Sequence, residues 1–96
     1  MAEEGKAAAP LSLRILHSFA RDYRRLPKDV QARADEQIQR LARREFIHPS
    51  LGFKKMKGTR NIWEARVSSN YRMTLELLPD QLVLRRVGTH DILETP

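Results

Sequence analysis

The stretch Ile62–Val87, IWEARVSSNYRMTLELLPDQLVLRRV, decides the fold. Trp63, Ala65 and Val67 alternate with Glu64, Arg66 and Ser68. Tyr71, Met73, Leu75 and Leu77 alternate with Arg72, Thr74 and Glu76. A period of two is that of a strand with one apolar and one polar face. Ser69-Asn70 and Pro79-Asp80 supply the turns, and Gln81–Val87 is apolar on both faces at its start, as in a central strand. The spacing predicts a three-strand antiparallel meander with Arg66 and Arg72 side by side on neighbouring strands. Like charges so placed cost stability unless a partner neutralises them.

Upstream the period changes. Val30, Ala34, Ile38 and Leu41 make a helical stripe, so Val30–Arg44 is expected to be a helix. Asp29 suits its positive end, Arg43 and Arg44 its negative end, and Glu36 and Arg40 stand at i,i+4. Before it, Leu13–His17 fits a strand, with a first helix starting at Ser18 as N-cap, burying Phe19, Tyr23 and Leu26 and interrupted by Pro27. Leu11, Ile15, Phe19 and Tyr23, four apart, also fit a helix. His48–Asn61, with Pro49, Gly52 and Gly58 among its basic residues, reads as a loop. The order is β-α-α-β-β-β, an α+β fold with a two-helix hairpin on one face of a small, mostly antiparallel sheet. Residues 1–10 are expected to be a flexible leader and 11–96 a single domain.

The 96 residues carry 18 Lys+Arg against 12 Asp+Glu, a formal charge of +6, and the basic residues are 13 Arg and 5 Lys. Arginine's donor fork matches phosphate, so a polyanionic partner fits, nucleic acid ahead of a membrane surface; charge kept for solubility fits as well. There is no cysteine, which excludes disulfides, thiolate metal sites and Cys nucleophiles. The three histidines are scattered without ligand spacing, so neither a metal nor a cofactor is expected. No apolar run approaches a membrane span, and a cytoplasmic protein is expected.

Four stretches resemble the RelE/ParE toxin superfamily: SFARDYRRLP (18–27), HPSLGFKKMKG (48–58), IWEARVSSNYR (62–72) and LVLRRVGTHDIL (82–93). The resemblance spans about residues 11 to 93 and implies a RelE-like fold. It implies a cognate antitoxin as partner and mRNA on the ribosome as substrate of a metal-independent endoribonuclease. The alternatives are a ParE-like inhibitor of DNA gyrase without nuclease chemistry, or a member that only binds RNA or a protein. The spacing of Trp63, Arg66 and Arg72 is similar to YoeB, and Gly88-Thr89-His90 to YafQ. By that likeness Arg72 and His90 take catalytic positions. Lys54, Lys55 and Lys57, with Arg60 and Arg66, form a substrate-binding surface. The chain departs from YoeB in having no acid between Phe46 and Asn61, and from several relatives in having no aromatic after His90.

The residue chemistry agrees with these roles. Metal-free RNA cleavage needs a base for the 2′-OH, an acid for the leaving 5′-oxygen and a cation for the phosphorane. Histidine titrates near neutrality and suits acid or base work; arginine suits the cation. Each residue also has a structural reading. Arg72 fits a pair with Glu64 or Glu76, Arg66 a pair with Glu76, and His90 a bond to Asp91 or backbone. Glu64 fits either a replacement base or an ion-pair partner. His48 fits a loop cap, His17 a structural role, and Trp63 the core. Arg85 and Arg86 fall on opposite faces, so one of them is expected to snorkel at the edge or bind anions.

Overall fold

A computed structural model describes residues 9–96. Most of the expected leader, residues 1–8, lies outside the described residues. The meander forms where the alternation predicts it: β3 (Ile62–Ser68), β4 (Tyr71–Leu77) and β5 (Gln81–Thr89). The β3–β4 register opposes Trp63 to Leu75, Ala65 to Met73, Glu64 to Thr74 and Arg66 to Arg72. One face is therefore apolar and the other carries the charges.

Two helices cover the apolar face. α1 (His17–Arg24) packs on β5 and α2 (Lys28–Ala42) on β3. Phe19, Leu26, Val30, Ala34, Ile38 and Leu41 meet Ala65, Val67, Met73, Leu75, Leu82, Leu84 and Val87 in one buried cluster. A fully buried Leu such as Leu41 contributes about 1.5–3 kcal/mol through lost apolar exposure. Pro27 ends α1 and serves as the N-terminal cap residue of α2, since it lacks a backbone N–H to lose. α2 thus starts two residues earlier than the stripe suggests. It ends at Ala42, because Arg44 adopts φ 65° and turns the chain away.

The sheet has five strands rather than four: β1 (Ser12–Ile15) and β2 (Lys54–Lys55) flank the meander in the order β1-β5-β4-β3-β2. β1 pairs in parallel with β5, placing Ser12 beside Gln81 and Ile15 beside Leu84. The expected strand end at His17 is instead the first residue of α1; the ladder closes where Leu16 N–H donates to Leu84 O at 3.0 Å. Ser18 does not cap the helix, and its hydroxyl donates to Arg85 O at 2.6 Å. The additional strand, β2 (Lys54–Lys55), lies in the stretch read as loop. Lys54 pairs with Glu64 and Lys55 with Trp63 on the free edge of β3. Two residues are too few for periodicity to reveal a strand.

The Glu36–Arg40 pair does not form. Arg33 bonds Glu36 at 3.2 Å, and Arg40 turns inward to Gln37 Oε1 at 2.7 Å. β5 carries a bulge: Thr74 faces Arg86 and Leu75 faces Leu84, leaving Arg85 as the extra residue. Both arginines find acids, Arg85 with Glu76 (2.5 Å) and Arg86 with Asp22 (2.6 Å), so neither is left to snorkel or to hold an anion. Beyond β5 a short 3-10 helix, His90–Glu94, folds back onto β4 and β5. No helix among the described residues is long and apolar enough to cross a membrane.

Candidate RNA-binding and catalytic groove

Glu64 and Arg66 point outward from β3, Arg72 from β4 and Lys54 from β2, because strand alternation puts all four on the face opposite the helices. His90, first residue of the terminal 3-10 helix, closes the end of that face. Together with Gly52, Phe53 and Leu93 they line one open groove of about 620 Å³. Arg66 and Arg72 are direct cross-strand partners within it.

The Arg66 backbone is clamped on both sides. Its N–H donates to Leu51 O at 2.6 Å, and its carbonyl accepts from Gln37 Nε2 at 2.9 Å. Gln37 also donates to Ser50 O at 3.1 Å and accepts from Arg40, so this fully buried amide ties α2, the basic loop and β3 together. The β3–β4 register shifts just after Arg66, between it and Ser68. Arg72 secures the turn that follows. Its Nη1 donates to Ser68 O at 3.1 Å and Tyr71 O at 3.2 Å. These bonds stand in place of the alternative pairing with Glu64 or Glu76; Glu76 is taken by Arg85 and Glu64 faces Lys54. The Arg85–Glu76 bond also removes the Arg66–Glu76 pair.

Among the described residues the Arg66 guanidinium and the His90 ring have no hydrogen-bond or ion-pair partner. Among the same residues Glu64, 15% exposed, has Lys54 as its one ion-pair partner, at 4.0 Å. The groove thus gathers three cations, one carboxylate and one imidazole, with unsatisfied donors facing solvent. Such a surface suits a phosphate flanked by groups able to exchange protons.

The other basic candidates lie elsewhere. Lys55, opposite Trp63, falls on the helix side, and its ammonium donates to Thr59 O. Lys57 and Arg60 do not line the groove. His48 is a loop cap: its Nδ1 accepts from Ser50 N–H at 3.2 Å. Trp63 is half-buried and stacks on Phe53 (centroids 4.6 Å apart, planes 9° apart), which in turn stacks on Phe46. Among the described residues no three His, Asp or Glu side chains gather as metal ligands would. Sequence reasoning passed over Gly52, Phe53, Leu93 and Gln37. Gln37 left a signal, since it is a polar residue three after Ala34 and four before Leu41 on the apolar stripe.

A second concavity opens on the helix side. Leu13 and Ile15 on the edge strand β1 are 45% and 55% exposed. With Phe19, Ala20, Tyr23, Ile38 and Leu84 they line an apolar groove of about 450 Å³.

Residues 28–91 match the family of ParE-like toxin domains. No curated protein is similar enough in sequence to match the chain. Several solved structures share its fold. The toxin in the RelB–RelE antitoxin–toxin complex of Methanococcus jannaschii is 23% identical, with a TM-score of 0.70 over 85% of this chain and 95% of that one. That of the E. coli DinJ–YafQ toxin–antitoxin complex is 16% identical, with a TM-score of 0.75 over 88% and 97%. The YoeB dimer of Staphylococcus aureus is 14% identical, with a TM-score of 0.72 over 85% and 99%. At these identities the likeness is one of fold.

Proposed function

The chain belongs to the family of ParE-like toxin domains, and from that premise we propose that it is the toxin of a toxin–antitoxin pair and cleaves mRNA on the ribosome in the cytoplasm. The observation that carries the reading is the cross-strand pair Arg66–Arg72 in one groove with His90. Two guanidiniums held together by backbone clamps gain from a phosphate what they lose by mutual repulsion.

In the proposed reaction the RNA strand enters along Lys54 and Arg66. A base takes the 2′-OH proton, the 2′-oxygen bonds to phosphorus, and the P–O5′ bond breaks as an acid protonates the leaving oxygen. The products are a 2′,3′-cyclic phosphate and a 5′-OH end. Arg72 stabilises the charge on the phosphorane, and His90 is the acid or the base. Glu64 is the candidate partner base, since the loop that holds an acid in YoeB has none here. Lys55, Lys57 and Arg60 extend the RNA surface beyond the groove. The site is proposed to work without metal or organic cofactor.

The cognate antitoxin is proposed to dock on the apolar groove lined by Leu13, Ile15 and Phe19 and to reach the basic face. The solved complexes of M. jannaschii RelB–RelE and E. coli DinJ–YafQ show toxins of this fold with antitoxins bound.

The decisive experiment incubates the protein, Arg72→Ala and His90→Ala with mRNA on programmed ribosomes. The expected result is cleavage by the parent chain and its loss in both variants. Cleavage indifferent to both changes would overturn the site. A second reading, inhibition of DNA gyrase, is favoured by the absence of an acid in the basic loop and of an aromatic after His90. Growth arrest with intact mRNA and blocked gyrase would establish it instead.

A further inference from the structure

Asp22 is a buried acid with no part in the groove. It sits on α1, which packs on β5, and is 7% exposed. Its carboxylate accepts from Arg86 Nε at 2.6 Å, from Arg86 Nη2 at 3.4 Å and from Val87 N–H at 3.2 Å. The other end of the same guanidinium leaves the core. Arg86 Nη1 donates to both the carbonyl and the hydroxyl of Thr95, each at 3.1 Å. A planar fork with several fixed donors can serve both partners at once, which a lysine ammonium cannot do at that span.

Thr95 belongs to the segment that begins with His90. That segment is attached at three points. At its start it leaves β5 beside Tyr71, through Thr89. In its middle, Ile92 lies flat on Gly88, where a Cβ would come within 2.9 Å of Ile92 Cγ2. At its end, Thr95 is held by Arg86, and Pro96 O accepts from Arg85 Nε at 3.0 Å and Thr74 Oγ1 at 3.1 Å. Five residues of 3-10 helix have little stability of their own, so these attachments set where His90 and Leu93 stand.

We infer that Asp22 and Arg86 form a positioning pair that acts through Thr95 to hold His90 and Leu93 against the Arg66–Arg72 groove. The inference rests on the reading of His90 as a working residue of that groove. Asp22 orients the guanidinium; the guanidinium anchors the far end of the segment; the segment presents the imidazole. Neither residue touches RNA. The expected effect on cleavage is a fall in kcat of about tenfold with KM little changed, since modest misplacement of a reacting group has effects of that order or larger.

The test reads His90 directly, by the carbon-bound ring-proton signals of the three histidines in the whole protein, without RNA. Asp22→Asn keeps an acceptor but removes the charge. Arg86→Lys keeps the charge but loses the fork, and remains informative if the first variant folds poorly. Leu26→Ala, in the core at the α1–α2 turn, serves as a control for plain destabilisation. The expected result is a shift of the His90 signals in Asp22→Asn and Arg86→Lys, with His48 unmoved and with no such shift in Leu26→Ala. His90 signals unmoved in either folded pair variant, or moved equally by Leu26→Ala, overturn the inference. Cleavage is measured in parallel. If His90 moves but His90→Ala cleaves normally, the positioning pair stands and the nuclease reading of His90 fails.

Discussion

Removing Arg66 tests the groove with little disturbance of the fold. Its guanidinium has no partner among the described residues, and its position is set by its backbone bonds to Leu51 and Gln37. Arg66→Ala is therefore expected to change stability by less than about 0.5 kcal/mol, the usual range for a surface substitution away from special features. Its effect on binding is larger. Lys54, Arg66 and Arg72 line the groove, and Lys54 is partly engaged by Glu64 at 4.0 Å. Two to three phosphates are thus neutralised. Counterion release from a single strand gives a slope of about −0.7 in log K against log salt per phosphate, so the whole groove gives about −1.4 to −2.1. At the upper value, affinity for a short RNA falls about 18-fold between about 50 and 200 mM salt. Arg66→Ala is expected to reduce the slope by about 0.7, so that the same salt step costs about sevenfold. Arg33→Ala removes the same charge from the exposed side of α2, away from the groove, and is expected to leave the slope alone. Fluorescence anisotropy of a labelled single-stranded RNA, titrated at several salt concentrations, measures both. Equal slopes for Arg66→Ala and the parent protein, or equal losses in Arg66→Ala and Arg33→Ala, would refute a phosphate site at the arginine pair.

Other consequences concern the supports of the groove. Burial opposes ionisation of Asp22 most strongly, yet the hydrogen bonds from Arg86 and from the Val87 backbone, with the charges of Arg86 and Arg21, outweigh it and hold the carboxyl below its ordinary range. A lowered folded pKa means that the ionised acid stabilises the fold above the unfolded value of about 3.9, and that this stability fades as pH falls through the folded pKa. Denaturant melts of Asp22→Asn and the parent should therefore differ at neutral pH and converge in acid; a gap independent of pH would count against the pair. Gln37→Ala strips donors from the carbonyls of Ser50 and Arg66, and is expected to cost about 2–4 kcal/mol by urea unfolding; a loss under about 0.5 kcal/mol would show that water replaces them. Gly88→Ala drives a methyl into Ile92, with an expected cost of about 1–2 kcal/mol and raised amide exchange in residues 90–95; an unchanged exchange pattern would mean that Ile92 yields freely. Ile15→Asp, on an exposed edge, should leave the melting temperature nearly unchanged while abolishing binding of the proposed antitoxin; undiminished binding would exclude that groove as its dock.

The meander was legible because β3, β4 and β5 are long enough for alternation to register, and because their turns carry turn residues. The juxtaposition of Arg66 and Arg72 followed from that alternation, as did the placing of Glu64 on their face. β2 was not legible: a two-residue strand exists only because β3 offers it a free edge. Nor was the fate of the arginines. Each acid on the sheet face was a plausible partner for each arginine in sequence. The bulge at Arg85 shifted the pairing, giving Glu76 to Arg85 and leaving Arg72 to bond the carbonyls of its own turn.

The amino-acid sequence alone therefore determined the types of the longer elements, the apolar and polar faces of their strands, and the basic character of one of those faces, since these depend on local periodicity and composition. Tertiary structure decided which of the charged residues are spent on the fold and which remain open. Asp22 and Arg86 lie 64 residues apart and meet only when α1 packs on β5. Lys55, Lys57 and Arg60 look equivalent to Lys54 along the chain, but only Lys54 shares the groove, because pairing with Glu64 turns it toward the arginine face. Charge is a property of residues; a site is a property of the distances that long-range packing imposes on them.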